Sequence, residues 1–79
     1  MKQIVYEIVV FLHLMGYTNK NSKIKLLTNM YNNQVEIENE ALINIIQSII
    51  DELSEKNTNK SIISNLDNYI DYINKESQY

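Results

Sequence analysis

Leu42-Ile43-Asn44-Ile45-Ile46-Gln47-Ser48-Ile49-Ile50-Asp51-Glu52-Leu53 and then Ile62-Ile63-Ser64-Asn65-Leu66-Asp67-Asn68-Tyr69-Ile70-Asp71-Tyr72-Ile73 carry one pattern twice. Leu42, Ile46, Ile49 and Leu53 step by four, three and four residues, and Ile62, Leu66, Tyr69 and Ile73 repeat those steps. Such spacing gathers side chains into one stripe along a helix, so two stripes in succession predict a pair of helices packed along a seam. Their limits follow from caps and charge. Glu38 or Asn39 opens the first of the pair, with acid at the positive end of the helix dipole, and it runs to about Glu55. Asn57 to Asn59 breaks the pattern, and Thr58 or Asn59 caps a helix over about 59–75. Glu52 with Lys56 and Asp71 with Lys75 add acid-first pairs four apart, each worth a few tenths of a kcal/mol.

Outward from that pair, two more helices are expected. The first covers about 2–15, with Ile4, Ile8, Phe11 and Met15 on one face and Val5, Val9 and Leu12 widening it. It should stop at Gly16, which accepts a left-handed cap without steric cost. Its Val and Ile residues would also suit a strand, but the apolar run does not alternate. After the connector Tyr17 to Asn21, Asn21 or Ser22 caps a helix over about 22–33 with Ile24, Leu27, Met30 and Tyr31 inward. Lys23 and Lys25 fall in its first turn, where the dipole disfavours positive charge. Gln34 to Asn39 has no helical period, and Val35 with Ile37 mimics a strand that has no second strand to pair with. Short connectors then predict an all-α fold: a small antiparallel four-helix bundle forming a single helical domain over 1–79.

At 79 residues one core must offset the entropy of ordering the whole chain. The 13 Ile and seven Leu are its main resource, since each buried aliphatic side chain contributes roughly 1.5 to 3 kcal/mol. There is no Cys to staple a secreted domain, so a cytoplasmic setting is expected. The run Ile4 to Met15 follows Lys2 like the apolar part of a signal peptide, but Glu7 interrupts it and no small-residue cleavage site follows. It is also too short to span a bilayer. Ten acidic residues against seven lysines give a net charge of −3, which disfavours bulk electrostatic binding to nucleic acid or to an anionic bilayer and leaves only local basic patches for either.

Residue chemistry points away from catalysis. His13 is the one histidine, so any imidazole acid, base or metal ligand must use it, yet Glu7 is the nearest acid and is off its face. No enzyme activity, cofactor or metal is expected. Glu36, Glu38 and Glu40 alternate as in acidic cation loops but lack the turn glycine, and read better as charge for the following helix start. Lys20, Lys23 and Lys25 form the basic cluster; without Arg forks or a glycine-rich cradle they fit a lipid headgroup or an acidic protein rather than nucleic acid. A solvated charged loop is the plainer reading of the same lysines. Six Tyr against one Phe is the other anomaly. Tyr69 falls on the seam, whereas Tyr72 falls off it and should be partly exposed, a candidate contact residue or an ordinary border tyrosine.

Leu26-Leu27-Thr28-Asn29-Met30-Tyr31-Asn32, Glu38-Asn39-Glu40-Ala41-Leu42, Asp51-Glu52-Leu53, Ile62-Ile63-Ser64-Asn65-Leu66 and Tyr69-Ile70 resemble the immunity proteins of pediocin-like (class IIa) bacteriocins, the enterocin A immunity family. The likeness spans Ile24 to about Glu76, about two thirds of the chain, in helix lengths, Asn-Glu caps and apolar phase. It implies an antiparallel four-helix bundle in the cytoplasm of a Gram-positive cell, protecting the producer from its own peptide at the membrane-embedded mannose permease that the bacteriocin targets. The chain departs from that pattern by a hydrophobic helix over Lys2 to Met15 and by stopping soon after Lys75, where relatives continue into another helix and a specificity tail. The expected function is therefore bacteriocin immunity through a non-catalytic contact with the receptor complex, with Lys20, Lys23, Lys25 and Tyr72 as contact candidates and a location in the cytoplasm or peripheral to the membrane. The alternative is a small helical regulator or adaptor, encoded by a phage or mobile element, that inhibits a larger protein. A homodimer burying the first helix is compatible with either.

Overall fold

The computed structural model describes residues 3–17, 21–56 and 59–77. Among them the regular structure is entirely helical: α1 (Gln3–Leu14), α2 (Ser22–Asn32), α3 (Asn39–Glu55) and α4 (Lys60–Ser77). The chain divides into two compact units, Met1–Ile37 and Glu38–Tyr79. Within the first, α1 packs on α2; within the second, α3 packs on α4.

In the second unit the expected seam is buried. Leu42, Ile46, Ile49 and Leu53 on α3 and Ile62, Leu66 and Ile73 on α4 are all in the core, with Ile50 beside them. Tyr69 corrects the expectation, being half-buried like Ile70. A tyrosine pairs a large apolar ring with a polar hydroxyl, which suits the border of a core better than its centre. Asn59 caps α4, its Oδ1 accepting from the Ser61 backbone N–H at 2.8 Å; the alternative cap, Thr58, lies outside the described residues. Lys56 donates to Glu52 at 3.5 Å on the exposed face of α3.

In the first unit α1 buries Ile4, Val5, Ile8 and Leu12, a stripe turned from the expected one. Phe11 is half-buried, and Met15 lies beyond the helix and is exposed. For Met15 the reason is Gly16, whose φ of +78° ends α1 at Leu14, one residue short of Met15. Gly16 N–H donates to the His13 carbonyl at 3.0 Å and Tyr17 N–H to the Leu12 carbonyl at 2.9 Å, the paired bonds of a Schellman cap. The same pair closes α2 without glycine. Gln34 N–H donates to Tyr31 O at 3.0 Å and Val35 N–H to Met30 O at 2.9 Å, with Gln34 itself at φ +54°. The segment that mimicked a strand is thus a helix cap followed by an extended linker, in which Ile37 is buried and Val35 exposed.

Candidate contact surface

Asn21 builds the start of α2. Its backbone is extended, its Oδ1 accepts from Lys23 N–H at 2.7 Å and Ile24 N–H at 3.2 Å, and its carbonyl accepts from Lys25 N–H at 3.0 Å. The cap therefore already occupies the N–H groups that an anion would otherwise use at a helix start. Asn21 is only 3% exposed, and its Nδ2 is buried with no hydrogen-bond partner among the described residues.

Lys23 and Lys25 stand exposed on either side of buried Ile24 in that first turn. The helix dipole opposes both charges, so local stability does not account for them. α4 also opens on a lysine, Lys60, so the position alone is no signal. What sets α2 apart is its surroundings, since Ile8 to Val35 contains no Asp or Glu at all. Lys20 belongs to this run but lies outside the described residues. Tyr72, in the other unit, is 53% exposed on α4, and its neighbours Asp71 and Asn74 are exposed too.

Exposed large apolar side chains were the feature that spacing did not reveal. Tyr6, Leu14, Met15, Leu26 and Val35 all belong to the first unit, and Leu14 is 73% exposed. A continuous hydrophobic run conceals which of its members a helix end leaves outside; the signal available was Gly16, which fixes that end.

His13 is exposed in the last turn of α1. Glu38 is the N-cap residue of α3 but makes no side-chain capping bond, and Glu40 lies in the first turn. Among the described residues no group of three or more His, Asp or Glu side chains is placed to hold a metal ion. No helix among them is long and apolar enough to cross a membrane.

Fold and surface together define a class, a protein of two compact units, all-helical among the described residues, whose exposed large apolar side chains lie mostly on the first. Compared with family models, curated proteins and solved structures, the chain matches none.

Proposed function

We propose that this protein works by contact and without catalysis, as a bacteriocin immunity protein that protects the Gram-positive producer cell by docking on a membrane receptor complex, the mannose permease that the bacteriocin targets. The observation that carries the reading is the division of labour among its side chains. The seam residues Leu42, Ile46, Ile49, Leu53, Leu66 and Ile73 are consumed by the core, while Lys23, Lys25 and Tyr72 stay outside. The resemblance adds the particular function: its segments 26–32, 38–42, 51–53 and 62–66 fall in α2, at the start and end of α3, and in α4.

The finer fold proposed is the small antiparallel four-helix bundle. For the first helix pair the Tyr6–Tyr31 ring contact at 5.8 Å supports it, because Tyr6 lies in the first half of α1 and Tyr31 in the last turn of α2. For the second pair the short break between Glu55 and Lys60 supports it. A cytoplasmic location, at or near the inner membrane surface, belongs to the same proposal.

Expression in a sensitive strain, followed by growth against a panel of pediocin-like peptides, tests this function. Protection against at least one peptide, weakened when Lys23, Lys25 and Tyr72 are replaced, is expected. Unprotected growth across the panel would overturn the immunity reading and leave the helical regulator as its replacement.

A further inference from the structure

We infer that the end of the first unit where α1 stops and α2 begins docks on an anionic lipid surface, with Leu14 and Met15 entering the interface and Lys23 and Lys25 meeting the headgroups. The Tyr6–Tyr31 contact sets which ends lie together. Leu14 follows Tyr6 by eight residues and Lys23 precedes Tyr31 by eight, about 12 Å of helix rise in each case. In a side-by-side pair this brings Leu14 and Met15 level with Ser22 and Lys23. Leu14 is 73% and Met15 48% exposed there, and Leu26, 43% exposed, follows one turn along α2.

Charge selects the occupant. The run 8–35, which includes this end, holds three lysines and no acidic residue, whereas residues 38–79 hold three lysines against eight acidic residues. The two glutamates of the first unit, Glu7 and Glu36, flank the acid-free run from Ile8 to Val35 and belong to the opposite end of the helix pair. The end in question thus carries lysines and apolar side chains with no acid among them. That combination suits an anionic membrane surface, where apolar side chains reach the acyl boundary and lysine stems extend to the phosphates.

Size argues against this end forming a protein interface by itself. Two helix ends, each about 10 Å across, cover roughly 200 Å², whereas a stable protein interface needs about 800 Å² from each partner. A bilayer requires no shape complement, so protruding residues suffice. The inference deepens the contact reading above by naming lipid as a partner of the Lys23–Lys25 surface.

Co-sedimentation of the full chain with vesicles tests it. Vesicles of phosphatidylcholine with phosphatidylglycerol should retain the protein, vesicles of phosphatidylcholine alone should not, and high salt should release it. Lys23→Gln and Lys25→Gln should each weaken retention about fivefold, the ratio that ~1 kcal/mol per surface lysine represents. Leu14→Ser with Met15→Ser should abolish retention while the circular dichroism spectrum stays helical, and Tyr72→Ser should leave it unchanged. Equal retention on both vesicle types, retention indifferent to the Leu14 and Met15 changes, or no retention at all would overturn the inference. A doubled mass in sedimentation that reverts in the Leu14→Ser variant would overturn it in favour of a second copy. Vesicle binding without protection from any bacteriocin would leave the inference standing and sink the immunity reading; protection without vesicle binding would do the reverse.

Discussion

The ring of Tyr6 on α1 lies 5.8 Å from that of Tyr31 on α2, centroid to centroid, with the planes inclined by 50°. Aromatic pairs at such a separation are worth about 0.5–1.5 kcal/mol beyond the area they cover. Because Tyr6 is 45% exposed, the lower half of that range applies. A double-mutant cycle over Tyr6→Ala and Tyr31→Ala, followed by urea unfolding, should give a coupling of about 0.5 kcal/mol, and Tyr→Phe at either site should keep it. Strict additivity would show that the rings do not hold α1 to α2.

Gln34 sits at φ +54°, where the Cβ of any residue but glycine crowds the following carbonyl oxygen at a cost of roughly 1–2 kcal/mol. Glycine removes that cost and returns roughly 0.5–1 kcal/mol as chain entropy. Gln34→Gly should therefore raise the urea midpoint, by up to about 1 kcal/mol in stability, and Gln34→Val should lower it. A lower midpoint for the glycine variant would show that the α2 cap is formed differently.

Asn21 separates capping from burial. Asn21→Ala removes the acceptor for Lys23 and Ile24 N–H and should cost about 1–2 kcal/mol. Asn21→Ser keeps an acceptor and discards the buried, unpartnered Nδ2, whose desolvation costs roughly 1–3 kcal/mol. The serine variant should match or exceed the parent in thermal melting. Equal loss in both variants would mean that the Nδ2 group itself is stabilising.

Glu38 has the backbone of an N-cap, φ −70° and ψ 150°, without a side-chain capping bond. Its carbonyl already accepts from Leu42 N–H at 2.9 Å, so the helix start is set and only the side chain is too long. Glu38→Asp should add about 0.5–1 kcal/mol by capping α3 while keeping the charge. No change in the melting temperature would place the start of α3 elsewhere.

How far the residues themselves announced this structure depends on the kind of physics involved. The seam from Leu42 to Leu53 and the stripe of α4 were legible because a helix imposes its period on every buried side chain. Gly16 was legible for the same reason in reverse, as the residue best suited to a positive φ. Gln34 was not, since no side-chain chemistry announces a strained left-handed residue; only the carbonyls of Met30 and Tyr31 needing donors call for it. The stripe of α1 was misread by a fraction of a turn because almost every residue from Ile4 to Met15 is apolar, so spacing offers no contrast. Contact candidates divide likewise. Exposure of Lys23, Lys25 and Tyr72 follows from their positions off the stripes, and the exposed end at Leu14 and Met15 had its signal in Gly16, but the Tyr6–Tyr31 pair depends on how two helices meet, which no single-helix pattern contains.

Ile49 is fully buried on α3, and the account stands on the apolar seam to which it belongs. At about 0.05–0.15 kcal/mol per residue a chain of this length has only on the order of 4–12 kcal/mol of stability, and an unpaired carboxylate in that position costs several. The thermal melt of Ile49→Asp, followed by far-ultraviolet circular dichroism, should show a largely unfolded chain or a melting point lowered by tens of degrees. A full helical signal with an unchanged melting point would show that the seam is not what holds α3 and α4 together.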